Sequence, residues 1–326
     1  MNTNSRIQSL FTNGILEIIL ALLCIALALT ASGFLTAENL LNVLRNVSMQ
    51  GVIAFGMTMV IISGEIDLSV GSAVAFSACL TAFLTQKLVA EWASLPIMLA
   101  IAIAIVFALI IGFFLGVFTG FMRTRYHVPS FITTLALMTG LSGAAELITN
   151  GFPLTPFPGW YNFIGGGYLV GIPFPALLFL LTFLVLQFLM NYTAFGRSVY
   201  AVGGNAEAAR LSGINVSRVK MMVLGITAFL AALSGIMVSS EIMSGTATTA
   251  KGWELDVIAA VIIGGTSLMG GVGRIWGTMV GVVVLGILMN GMTLLNVSEY
   301  WQHVVRGVII LVAVLLNLLQ KEKGER

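Results

Sequence analysis

Two acidic pairs, Glu65-Ile66-Asp67-Leu68 and Glu254-Leu255-Asp256-Val257, stand out in a chain whose charged residues amount to only 9%. Acids in such a setting can line a translocation path or relay protons. Each carboxylate at a bilayer centre would cost on the order of 2.5–3.5 kcal/mol by insertion scales, so these pairs belong at the ends of apolar segments. Glu146 reads in the same way, as an interfacial carboxylate, and nothing resembles the chain of acids and histidines that a proton-driven pump needs. Other reagents are missing. No Gly-Lys dipeptide occurs, which excludes a Walker A phosphate loop, and there is neither an H-E-x-x-H helix nor a G-x-S-x-G elbow. His127, His303, Cys24 and Cys79 are too few for a Cys/His metal site. Both thiols lie in apolar stretches, where cysteine behaves as a small inert hydrophobe. No cofactor is expected in this chain; if ATP drives it, another subunit supplies the nucleotide.

Two further motifs concern backbone rather than side chains. Gly264-Gly265-Thr266-Ser267-Leu268-Met269-Gly270-Gly271-Val272-Gly273 places five glycines in ten residues. A continuous helix would be weak there, and irregular backbone at membrane depth is tolerated where protein shields it or where it lines a cavity. Gly203-Gly204-Asn205-Ala206-Glu207-Ala208-Ala209-Arg210-Leu211-Ser212-Gly213-Ile214 predicts a short capped helix: Asn205 at the N-cap, Glu207 in the first turn, Arg210 in the last and Gly213 at C′. About two turns cannot stand alone. That helix either docks against a partner or lies on the membrane, and its apolar face is small for lipid.

The elements that must position these residues follow from composition. Of 326 residues 58% are hydrophobic, the mean hydropathy is +1.04 and glycine numbers 36, which excludes an ordinary soluble domain and suits closely packed membrane helices. Fifteen basic against thirteen acidic residues are too balanced for a nucleic-acid surface. Apolar runs predict an all-α polytopic bundle in the lipid bilayer with about ten transmembrane helices: Ile15–Leu35, Val47–Ser63, Leu68–Thr85, Leu95–Met122, Pro129–Thr149, Ile172–Tyr192, Val219–Ser240, Val257–Gly271, Gly277–Val297 and Val304–Leu319. The first is read as a retained helix, not a signal peptide, because its apolar run is long and only Arg6 precedes it. With both termini inside, Arg6, Arg123, Arg125, Arg197, Arg210, Arg218, Lys220, Arg274, Lys321, Lys323 and Arg326 fall on the cytoplasmic side, leaving Arg45, Lys87, Lys251 and Arg306 outside. The two acidic pairs are five spans apart, which is what a 5+5 inverted repeat would give, although two acids at one spacing do not distinguish a repeat from chance. Four-residue glycine repeats at Gly112, Gly116 and Gly120 and at Gly273, Gly277 and Gly281 predict helix packing. The outer loop Asn150 to Gly171 is uncharged and aromatic, an interfacial anchor or a docking surface. The chain reads as a single transmembrane domain over 1–326 with a polar inner segment at about 193–218.

Taken together, Glu65-Ile66-Asp67-Leu68-Ser69-Val70-Gly71-Ser72, Pro129-Ser130-Phe131-Ile132-Thr133-Thr134-Leu135, Phe195-Gly196-Arg197, the Gly203–Ile214 segment, Leu255 through Leu268 and Asn290-Gly291 resemble permease subunits of bacterial ATP-binding-cassette importers for monosaccharides, the ribose-type branch. The resemblance covers nearly the whole chain. It implies a multi-pass subunit of the bacterial inner membrane, paired with a second permease copy over two cytoplasmic ATP-binding-cassette subunits that carry ATP and Mg, and fed by a periplasmic sugar-binding protein. It makes the short inner helix the coupling helix, with Asn205, Glu207, Arg210, Leu211 and Gly213 at the ATPase contact. Glu65, Asp67, Ser69, Gly264, Gly265, Thr266, Ser267 and Asn290 become candidates for the translocation path. Glu65 departs from the pattern, in which a small residue is common. A self-sufficient sugar carrier and a membrane-embedded enzyme are the rival classes; the first lacks ion-coupling residues and the second a catalytic set.

Overall fold

The computed structural model describes residues 3–92 and 94–324; Arg326, one of the inner basic residues above, lies outside them, as do the side chains of Arg6, Lys321 and Lys323. Its elements in order are α1 (Thr3–Thr30), α2 (Ala37–Ile62), α3 (Val70–Glu91), α4 (Ile97–Arg125), α5 (Ser130–Thr149), a 3-10 turn (Gly159–Asn162), α6 (Phe163–Gly166), β1 (Tyr168–Leu169), β2 (Ile172–Pro173), α7 (Phe174–Tyr192), α8 (Ala194–Gly204), α9 (Ala206–Leu211), α10 (Val216–Glu241), α11 (Trp253–Ile263), α12 (Ile275–Leu294) and α13 (Glu299–Gly324). Among the described residues seven helices, α2, α3, α4, α5, α7, α10 and α12, are long and apolar enough to cross a membrane. The apolar part of α1 is Leu16–Thr30, so the first expected span stops before Leu35, where the chain turns and Thr36 caps α2 by accepting the Asn39 N–H.

Two expected helices need correction. The eighth span does not run from Val257 to Gly271: α11 ends at Ile263 after 11 residues, roughly 16 Å of helix against a hydrocarbon core of about 30 Å. Gly264 is its C-cap, Gly265 at φ +86° turns the chain out of the helix, and the rest of the glycine run is a tight turn. The second span begins ten residues earlier than expected, at Ala37; Asn39, Asn42, Arg45 and Asn46 lower the local hydropathy but are helical. Gly273 likewise precedes α12 instead of lying on it.

α2 is the axis of the bundle. Every residue from 51 to 62 is buried, and α2 packs against α7, α10, α11 and α12. On its outer flank α10 packs along α4, where Gly112, Gly116 and Gly120 face the α10 backbone: a methyl group on Gly112 would stand 2.7 Å from Ala232 Cβ, and one on Gly120 2.5 Å from Met221 Cα. This is the close helix approach that small residues permit where lipid supplies no hydrophobic drive between helices. Exposed Ile103, Phe107, Ile110, Phe114 and Phe118 on α4, with Leu181, Leu184 and Phe188 on α7, form faces suited to hydrocarbon.

The aromatic loop after α5 is a packed cap over the end of α10. Tyr161 is fully buried, its hydroxyl 2.8 Å from Ser239 Oγ, while Asn162 donates to the Ser240 and Glu241 carbonyls and Leu154 bridges to Gly245. Burial pushes the Tyr161 phenol up, against the smaller effect of the Ser239 bond. Removing that hydroxyl with Tyr161→Phe is expected to lower stability in detergent by about 1 kcal/mol. An unchanged unfolding midpoint would show that the ring alone holds the cap.

Candidate functional site

Three places gather the polar groups of this apolar chain, and the first is the break between α2 and α3. After Gly64 the segment Glu65 to Ser69 carries no regular structure. Asp67 accepts the Ser69 N–H at 2.8 Å and the Ser69 hydroxyl at 2.6 Å, so both side chains are spent on organising the start of α3. Ile66 N–H donates to Ser130 on α5. Glu65, only 4% exposed, accepts from Arg123 Nε at the end of α4 at 2.9 and 3.1 Å and from Lys220 in the first turns of α10. One buried carboxylate therefore joins three elements, and two cations flank it. A buried charge is tolerable only when paired in this way.

The second is a cavity of about 380 Å³ between α2 and α12, closed by the end of α10, the first turn of α11 and α13. Asn46 and Gln50, one turn apart on α2, line it together with Trp253, Asn290 and the Asp256–Arg306 ion pair, whose Nε to Oδ1 distance is 2.9 Å. Where α12 approaches α2, Gly286 lies against Val47. The Asn290 and Asn39 amides exchange two hydrogen bonds, of 3.0 and 2.7 Å, and these staple the ends of the two helices. Among the described residues the side chains of Asn46 and Gln50 make no hydrogen bond, which leaves their donors and acceptors for a guest. A volume of this size lies in the range of small-molecule sites, and a few polar groups in apolar walls are their usual lining. Beside it Arg45 bonds the Tyr168 hydroxyl and stands 3.9 Å from Glu241.

The third is the inner segment. Asn205 Oδ1 accepts the Ala208 N–H at 2.9 Å, Glu207 and Arg210 pair through bonds of 3.0 and 2.6 Å, and Gly213 takes φ +85° while Ile214 N–H returns to Ala209 O. The Arg210 guanidinium that donates to Glu207 holds its carboxyl below the usual range. α9 rests on α8 and α10 through buried Ala209, and turns Glu207, Arg210 and Leu211 outward, Leu211 74% exposed. An exposed leucine beside an exposed ion pair on a well-capped helix is a surface that can dock on another protein.

Of the residues expected on a path, Asn290 alone lines the cavity. Glu65, Asp67 and Ser69 hold the α2–α3 break, and Gly264, Gly265, Thr266 and Ser267 form the turn after α11, with Gly264 against the Gly277 backbone. The five expected at the coupling helix all fall on or beside α9. Sequence reasoning missed Asn46, Gln50, Trp253 and Arg306 as a site: Asn46 and Gln50 carried the signal of polarity at helical spacing on α2, whereas Trp253 on α11 and Arg306 on α13 join them only through packing. No group of metal-binding side chains occurs among the described residues.

A family described as branched-chain amino acid transport system / permease component matches residues 39–314. The chain is 45% identical to the probable ABC transporter permease protein YphD of Escherichia coli (strain K12), over 95% of this chain and 91% of that one. It is also 45% identical to the ribose import permease protein RbsC of Bacillus subtilis (strain 168), over 91% and 90% respectively. To the L-arabinose ABC transporter permease protein AraH of Azospirillum brasilense it is 35% identical, over 97% and 90%. No solved structure matches.

Proposed function

From the premise that the chain belongs to the family of branched-chain amino acid transport system permease components, a multi-pass permease of the inner membrane, we propose that it is the membrane subunit of an ATP-driven importer of a monosaccharide, ribose or a related pentose or hexose. The observation that carries the reading is α9, a capped helix turned outward with Glu207, Arg210 and Leu211 exposed. It docks on a cytoplasmic ATP-binding-cassette subunit, which holds ATP and Mg; this chain is not itself catalytic. A second copy of the permease and a periplasmic sugar-binding protein complete the assembly, and closure of the ATPase pair drives alternating access.

The chain crosses the membrane ten times with both termini inside, counting α1, α11 with its flanking irregular backbone, and α13. Supporting a 5+5 inverted repeat, α3 packs on α4 and α5 as α11 packs on α12 and α13, and α10 packs on α4 as α2 packs on α12. Sugar passes the cavity beside α2, where the Asn46 and Gln50 amides meet its hydroxyls and Trp253 its apolar face, while Asn290, bonded to Asn39, holds the wall in place. Such a site is permissive, and most selectivity stays with the binding protein.

The test is purification with co-expressed ATPase subunits, then ATP hydrolysis and sugar uptake in liposomes. A stable complex whose hydrolysis rises with loaded binding protein is the expected result. Uptake by the permease alone, downhill or abolished by ionophores, would replace the importer with a self-sufficient carrier.

A further inference from the structure

The turn that follows α11 meets α8 backbone to backbone. Gly203, next to last in α8, lies so close to the end of α2 that a methyl group there would overlap the Ile62 carbonyl oxygen and stand 2.7 Å from Gly271 N. The same carbonyl accepts the Gly271 N–H at 2.8 Å, which satisfies one of the orphan acceptors at the end of α2. Gly270 and Gly271 hold φ of +84° and +74°, the left-handed reversal that aims this N–H and that glycine adopts without strain. One turn earlier on α8, Tyr200 donates its hydroxyl to Gly273 O at 3.0 Å. The turn itself is cross-braced, Ser267 N–H to Val272 O at 2.9 Å and Gly270 N–H to Ser267 O at 3.0 Å. Behind it a methyl group on Gly264 would stand 2.5 Å from Gly277 C, so α11 and the first turn of α12 are in contact along their backbones.

Gly203 is two residues from Asn205, the cap of α9. We infer that Gly203 is the positioning residue through which displacement of α9 reaches the interrupted helix α11 and the break between α2 and α3. Contacts between backbones have no rotamers with which to absorb a shift, and close-packed elements switch between discrete arrangements instead of yielding gradually. A movement of α8 therefore arrives at Ile62 and Gly271 undiminished. The inference rests on the reading of α9 as the helix that docks on the ATPase.

Two neighbouring variants test it. Gly203→Ala inserts a methyl group into the junction, whereas a Cβ on Gly204 meets nothing within 4 Å, so Gly204→Ala adds the same group without a contact. In liposomes holding permease, ATPase and loaded binding protein, Gly203→Ala is expected to retain the ATPase and its basal hydrolysis but to move on the order of tenfold less sugar per ATP, within the range of mutations that disturb coupling. Gly204→Ala is expected to behave as wild type. A second readout follows the movement itself: with Cys24 and Cys79 replaced by alanine, labelling of Thr293→Cys by an impermeant maleimide should change on adding ATP in the otherwise wild-type chain and stay constant with Gly203→Ala. A Gly203→Ala complex with a wild-type sugar-to-ATP ratio, or with ATP-dependent labelling, overturns the inference. Should Gly203→Ala fail to insert, Tyr200→Phe decides, since it deletes only the hydroxyl bond to Gly273: a severalfold drop in the ratio supports the junction and an unchanged ratio overturns it. Wild-type uptake without ATP is a separate failure, that of the importer reading, and is seen before any variant is compared.

Discussion

Glu65→Gln is expected to destabilise the fold by about 3–5 kcal/mol, the usual cost of breaking a buried ion pair by removing one partner. The carboxylate is 3% exposed at its side chain and serves two cations, and Lys220 is itself only 10% exposed. Glutamine keeps the shape and one acceptor but leaves Lys220 without an anion, whereas Arg123, 32% exposed, can turn toward water. The asymmetry makes a second expectation. Lys220→Met should cost far less, because Glu65 keeps both bonds from Arg123 Nε, and adding Lys220→Met to Glu65→Gln should recover part of the loss, since the stranded charge is gone. Unfolding of the four proteins in detergent measures all of this as a double-mutant cycle. Equal losses for both single variants, or no recovery in the double variant, would mean that Glu65 acts through something other than Lys220.

That cluster also shows where the sequence stops being legible. α9 can be read residue by residue because every bond that defines it is local: the cap spans three residues and the Glu207–Arg210 pair three more. The glycine spacing of α4 announces a close helix neighbour for the same reason, although not which helix. Glu65, in contrast, finds Arg123 58 residues away and Lys220 155 residues away, and no local pattern pairs them. The cavity has the same character, since Asn46, Asn290 and Arg306 come from three helices and become a site only when α2, α12 and α13 pack. The early polar turns of α2 read as a loop because hydropathy assumes a lipid-facing helix, while α2 faces protein and a polar cavity. The end of α11 is hidden for the converse reason: Leu268 and Met269 keep the run apolar, yet positive φ at Gly265, Gly270 and Gly271 ends any helix there.

Arg210→Glu is expected to reduce sugar uptake by on the order of tenfold or more, the effect of losing an arginine anchor from an interface, while the unfolding transition in detergent stays in place. Both parts follow from exposure. The Arg210 and Glu207 side chains are 62% and 66% exposed, so their pair is screened by solvent and adds little to the fold; the caps of α9 are made by Asn205 and the backbone after Gly213 instead. Whatever Arg210 contributes beyond this must be made to another molecule. A charge swap separates the two roles. Glu207→Arg with Arg210→Glu restores an opposite-charge pair within α9 but presents the reversed pattern to a partner, so uptake and retention of the ATPase should remain lost. Recovery in the swap would confine Arg210 to its bond with Glu207 and leave exposed Leu211 as the contact to pursue. Persistent loss, with the swapped protein still folded, would place the guanidinium in the docking surface, because charge reversal across an interface costs affinity even where the helix that carries it is intact.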